Sequence, residues 1–196
     1  VDYYEKEHEA YFIKTVSVDP APFLETFIQI APQGATVWDI GCGSGRDLRW
    51  LKKRGFHAVG LERSSGLARL ARRYSGCEVI EADFESFDFS GLNADGMLMT
   101  AALVHLHWDK FEIVLREIIR GVKPDGIVYI SLKKGDSAEK RLPLTDSDSR
   151  RVFYMWQPVD LEKIFHAVNL EVILSSETAS LINTGEIWLG YFMRRR

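Results

Sequence analysis

Three glycines at alternate positions, Gly41, Gly43 and Gly45, stand between the run Val37-Trp38-Asp39-Ile40 and a stretch from Arg46 with helical spacing. A strand, a glycine turn and a helix in that order bring main chain close to a ligand, because glycine lacks a Cβ and accepts positive φ. The free N–H groups that open the helix favour negative charge at that point. Glu62 ends the next apolar run, about 20 residues further on, the spacing of a carboxylate that holds the ribose hydroxyls of a nucleoside ligand. A dinucleotide fingerprint, G-x-G-x-x-G, requires glycine or alanine where this chain has Arg46. An NAD(P)-dependent oxidoreductase on the same fold class is therefore the alternative rather than the first reading.

Further residues with chemical capacity follow later runs. Ala82-Asp83-Phe84 follows the third, and Thr100-Ala-Ala-Leu-Val-His105 closes the fourth. His105, His107 and Asp109 have an H-x-H-x-D spacing but no evident third and fourth ligands, so no metal is expected. His105 is a candidate general base. Tyr154 is a candidate wall of an acceptor pocket, and Trp156 a packing residue. Lys133 and Lys134 read as a solvated loop.

These residues need a scaffold that puts them together. Strand-like and helix-like stretches alternate through five units, which predicts a parallel sheet with helices on both faces. In such sheets ligands bind at the carboxyl ends of the strands. Gly41–Gly45, Glu62, Asp83 and Thr100–His105 all fall at those ends. Strands are expected at 37–40, 57–61, 77–81, 95–100 and 127–132, and an antiparallel pair at 170–174 and 186–193. Helices are expected at 3–15, 19–31 and 108–122, with one opening at Pro158. Lys123-Pro-Asp-Gly126 is turn chemistry. Residues 133–151 are polar and aperiodic, and so long a connection is expected to be functional or mobile.

Length, 196 residues, fits one domain, 1–196. A net charge of −3 and a pI near 6.0 do not fit a protein that coats nucleic acid or an anionic membrane. Two cysteines, Cys42 and Cys77, make neither a disulfide framework nor a zinc spacing. No apolar run is long enough to span a membrane. The expectation is a cytoplasmic protein, monomer or homodimer.

With these motifs in register, Asp39-Ile-Gly-Cys-Gly-Ser-Gly45 resembles the first motif of class I S-adenosylmethionine-dependent methyltransferases. Glu62, Ala82-Asp83-Phe84, residues 95–105 and Lys123-Pro-Asp-Gly126 follow in that family's order. The segment Thr100–Leu106 and the tyrosine-rich N-terminus are similar to those of small stand-alone members. The resemblance covers about Gln33 to Met193. It implies a Rossmann-like, doubly wound, seven-stranded, mostly parallel sheet with an antiparallel last strand. It implies a cofactor-binding core over 33–196 under an N-terminal helical lid, 1–32, which the loop at 133–151 would join.

The residue roles also come from the resemblance. Asp39, Gly41, Cys42, Gly43, Ser44, Gly45 and Arg46 would bind the methionine part. Glu62, with Arg63 beside it, would take the ribose hydroxyls; Ala82, Asp83 and Phe84 would take the adenine. Thr100, Ala101 and Ala102 would flank the sulfonium, and Tyr11 and Thr15 would close over the methionine end. The expected activity is methyl transfer to a small-molecule acceptor, with S-adenosylhomocysteine as product. No nucleic acid and no membrane partner is expected. A non-catalytic S-adenosylmethionine-binding protein is a further alternative.

Overall fold

The computed structural model describes residues 3–135, 144–145 (backbone), 151–180 and 185–196. Seven strands form one sheet: β1 (Thr36–Ile40), β2 (His57–Glu62), β3 (Glu78–Glu81), β4 (Ala94–Thr100), β5 (Val122–Lys133), β8 (Leu170–Ala179) and β9 (Ile187–Arg195). Their order is β3-β2-β1-β4-β5-β9-β8. Pairings from β3 to β5 are parallel, and β9 runs antiparallel to both of its neighbours. Two short strands, β6 (Leu144–Thr145) and β7 (Val152–Phe153), pair apart from this sheet.

Period-two alternation divides the core between the two faces of the sheet. Trp38, Ile40, Met97 and Met99 face helices α6 (Trp108–Ile119) and α7 (Pro158–Ala167), where Phe111, Leu115, Ile118 and Phe165 are buried. Val37 and Leu98 face the other way, onto α3 (Ala21–Ile30), α4 (Arg46–Lys52) and α5 (Ser65–Ser75), which supply Leu24, Phe27, Leu48, Leu51, Ala68 and Ala71. Asp39 shares the Val37 face by the same alternation, and so points toward α4.

Two expected elements differ in detail. The N-terminal helix is broken at Glu7 into α1 (Tyr3–Lys6) and α2 (His8–Val16). The break lets α1 reach across to the end of β4, where Tyr4 meets His105. The turn at 123–126 lies inside β5. Register with β4 jumps from Ala94↔Val122 to Gly96↔Ile127, and Asp125 has φ 61°, so the turn residues bulge from a continuous strand. Most of the expected loop at 133–151 lies outside the described residues. Lys133, expected in solvent, is buried: its ammonium pairs with Glu186 and lies 3.9 Å from the centre of the Phe153 ring. Lys134 pairs with Glu177.

Candidate active site

The carboxyl ends of β1, β2 and β4 enclose a cavity of about 190 Å³, lined in part by Gly41, Gly43, Glu62, Ala82, Phe84 and Thr100–Ala102. Its first wall is the glycine turn, with φ of 67° at Gly41, 53° at Gly43 and 73° at Gly45. A Cβ on Gly41 would sit 3.0 Å from the Cβ of Ala102, and one on Gly43 would sit 3.3 Å from the Tyr11 ring. Glycine at these two positions therefore keeps main chain open to the cavity. Gly45 serves packing instead: its Cβ would meet the backbone of Ala71 on α5 at 3.0 Å. The tight helix contact falls to Gly45, one position before Arg46, which frees the Arg46 side chain to pair with Asp47.

The second wall is the end of β2. Glu62 is 6% exposed, and its two oxygens accept from Gly43 N (3.0 Å) and Ser64 N (2.9 Å). Burial pushes its carboxyl above the ordinary value, against the opposing pull of those N–H donors. Each oxygen keeps a further lone pair for a ligand hydroxyl.

The third wall is the end of β4. Ala101 has φ 54°, unusual for a residue with a side chain, and its N–H donates to Ser131 Oγ at 2.9 Å. Such strain clusters at functional sites. The Thr100 hydroxyl is buried and has no hydrogen-bond partner among the described residues. His105, also on the cavity, has Nδ1 2.6 Å from the Val152 carbonyl. A carbonyl only accepts, so Nδ1 carries the proton and Nε2 is the acceptor for the Tyr4 hydroxyl at 2.7 Å. Tyr4 and Tyr11, edge to face at 5.1 Å, complete the lining from the N-terminal helices.

Several expected site residues lie off the cavity wall. Asp39 is 2% exposed and faces Arg46 and Asp47; burial first, then the Asp47 carboxylate, holds its carboxyl well above the ordinary value. Cys42, Ser44 and Gly45 are turned into packing, and burial pushes the Cys42 thiol up. The Asp83 carboxylate folds back on its own loop, accepting from Glu85 N at 2.9 Å and lying 3.7 Å from Arg63. The carboxylate-bearing residue that lines the cavity at this corner is Glu85, tied to Lys110. Thr15 is a turn too far along α2, and its hydroxyl donates to the Tyr11 carbonyl. Tyr154 packs on His107 and Trp108 instead, drawn there by its N–H bond to Val104 O. His107 caps α6 through Asp109 N, so the two histidines serve different partners. Among the described residues no cluster of metal-ligating side chains occurs, and no helix is long and apolar enough to cross a membrane.

Sequence reasoning missed Tyr4, Leu61, Leu67, Glu85 and Leu106. For Tyr4 the chain offered only a tyrosine-rich helix start, which does not say what the ring meets. For Leu61 there was its place beside Glu62.

The methyltransferase domain family model matches residues 12–175. The chain belongs to that family. The chain is similar to O-methyltransferase 3 of Dictyostelium discoideum, 26% identical over 81% of this chain and 44% of that protein. It is also similar to probable tRNA methyltransferase 9B of Mus musculus, 26% identical over 64% of this chain and 28% of that protein. It thus spans less than half the length of either. Among solved structures, the 1,6-didemethyltoxoflavin-N1-methyltransferase of Burkholderia thailandensis, with S-adenosylhomocysteine bound, superposes with a TM-score of 0.75. That likeness covers 98% of this chain and 83% of that one at 19% identity, and shows the shared fold. S-adenosylmethionine is the cofactor that the sequence resemblance implies for this chain. The chain's residues fit that cofactor: two glycines whose Cβ atoms would intrude on the site, an acceptor-only carboxylate at the end of β2, and a buried hydroxyl without a partner among the described residues.

Proposed function

We propose that this methyltransferase acts on a small-molecule acceptor that enters beside Thr100–Ala102 under the N-terminal helices. The observation that carries this reading is the roof. Tyr4 and Tyr11 close the cavity from above, with Tyr4 bonded to His105, and a roofed chamber suits a compact acceptor better than a polymer. Gly41 and Gly43 present main chain to the methionine part, and Asp39 adds negative potential behind it. Glu62 accepts from the ribose hydroxyls. Ala82 and Phe84 contact the adenine, and Asp83 and Arg63 border that corner.

S-adenosylmethionine supplies a methyl group already activated on a sulfonium, so the chain's task is alignment more than bond polarisation. The small side chains of Ala101 and Ala102 leave room for an in-line approach. The Tyr4 hydroxyl takes the proton of an acceptor O–H or N–H as it passes its own proton to Nε2 of His105, with the resulting positive charge supported through Nδ1–H on the Val152 carbonyl.

A nucleic-acid acceptor is the second reading, and one observation favours it. Lys53, Arg54, Arg69, Arg72 and Arg73, on and just after α4 and α5, form no ion pair with the described carboxylates, while Lys110, Arg116, Arg120 and Lys123 each have one. Unpaired cations on adjacent helices are what a phosphate backbone would contact, and several relatives are named tRNA methyltransferases. Incubation with methyl-labelled S-adenosylmethionine and, separately, a metabolite extract and a total tRNA pool tests the choice. The first reading predicts label in the metabolite fraction; label in tRNA alone overturns it.

A further inference from the structure

The cavity, at about 190 Å³, is smaller than the roughly 300–1,000 Å³ of small-molecule sites. Its roof must therefore move when a nucleoside-sized ligand enters or leaves. What fastens the roof is visible in the contacts of α1 and α2. The Tyr4 hydroxyl reaches His105. The His8 ring lies where a Cβ on Gly66 would be, 2.4 Å from its Cγ, so glycine at that position is what admits the ring. Glu5 reaches the first turn of α5: its Oε2 accepts from Ser64 Oγ at 2.6 Å and from Gly66 N at 3.2 Å.

The first turn of α5 carries no acidic residue of its own. Its unpaired N–H groups and the positive end of its dipole attract a carboxylate, and Glu5 supplies one from the other end of the chain. Ser64 sits at the centre of this arrangement. Its hydroxyl caps α5 by accepting from Leu67 N at 3.2 Å and donates to Glu5. Its main-chain N–H donates to Oε1 of Glu62, whose other oxygen is held by Gly43 N. Lid, helix cap, carboxylate and glycine turn thus form one hydrogen-bonded series, Glu5–Ser64–Glu62–Gly43.

We propose that Glu5 is a positioning residue of the cofactor site, fixing Glu62 through Ser64 so that closure of the N-terminal helices and retention of the cofactor are one event. This rests on the reading of Glu62 as the ribose ligand. With Glu5 docked, Ser64 is held by its side chain and main chain together, and the Glu62 oxygens stay aimed at the cavity. With Glu5 withdrawn, the cap loses its charged partner, α1 is left with Tyr4 and His8 as anchors, and the carboxylate loosens. Ligand bound to Glu62 favours the docked lid, and the docked lid favours the ligand, to the same factor.

The test uses S-adenosylhomocysteine as ligand, with stopped-flow dissociation and calorimetry, and amide hydrogen exchange at Gly43 in the ligand-free protein. Glu5→Ala is expected to speed dissociation about tenfold, the worth of a hydrogen bond to a charged group, and to speed exchange at Gly43. Lys6→Ala, an exposed neighbour, is expected to change neither. Ser64→Ala is expected to match Glu5→Ala, and the double variant to be no worse than either, since both cut the same series. Unchanged dissociation in Glu5→Ala, or additive losses in the double variant, overturns the proposal. Glu62→Ala separates the two levels. If it loses affinity and Glu5→Ala does not, only the positioning role fails; if Glu62→Ala binds as well as wild type, the ribose reading fails and takes the positioning role with it.

Discussion

The main-chain N–H of Gly43 lies 3.0 Å from Oε2 of Glu62, so the turn after β1 and the end of β2 are joined directly across the floor of the cavity. Two motifs separated by a helix become one surface through this bond. It also explains why a side chain at position 43 is costly. Gly43→Ala forces a φ of 53° on a residue with a Cβ and puts that carbon 3.3 Å from the Tyr11 ring. Gly55 has φ 85° with nothing within 4 Å, and so isolates the backbone strain. Gly55→Ala is expected to lose about 1–2 kcal/mol in urea unfolding. Gly43→Ala is expected to lose more, and to weaken S-adenosylhomocysteine binding, which Gly55→Ala leaves unchanged.

Asp39 sets stability against function. Its carboxyl is held above the ordinary 3.8 by burial and by Asp47. A carboxyl raised on folding stabilises the fold below its unfolded value, and that contribution is lost as pH rises through the folded value. Asp39→Asn does not titrate. Relative to wild type it is expected to gain roughly 2–4 °C in Tm at pH 7, a gain that vanishes near pH 3. Affinity for S-adenosylhomocysteine is expected to fall. Calorimetric melts across pH, with and without ligand, check both.

Thr100 also carries a burial cost. Its buried hydroxyl has no partner among the described residues, so the folded protein bears the cost of desolvating it. Thr100→Val keeps the shape and removes that cost, and is expected to raise unfolding free energy by about 1 kcal/mol. A loss of similar size would mean that the hydroxyl is satisfied within the protein.

The parts of this architecture that are periodic or steric were legible in the chain. The alternation of strand and helix, the positive-φ glycines at 41, 43 and 45, and Glu62 at a strand end each follow from local chemistry. The turn at 123–126 was legible as a turn but not as a bulge inside β5, because pairing with β4 decides that. Side-chain direction was less accessible. Asp39 and Asp83 stand where the motif requires, yet one turns to α4 and the other to Glu85 N. Tyr4, Glu5 and Glu85 were missed because their partners, His105, Ser64 and Lys110, are far away in sequence. Nothing local announces such contacts.

The most direct measurement is calorimetric titration of S-adenosylhomocysteine, and in parallel NADH, into wild type and Glu62→Ala. Arg46 in place of the third dinucleotide-fingerprint glycine predicts that wild type binds S-adenosylhomocysteine and not NADH, and two ribose hydroxyls on one carboxylate predict that Glu62→Ala binds S-adenosylhomocysteine about 100-fold more weakly. Equal affinity in the two proteins, or binding of NADH alone, would contradict this account of the site.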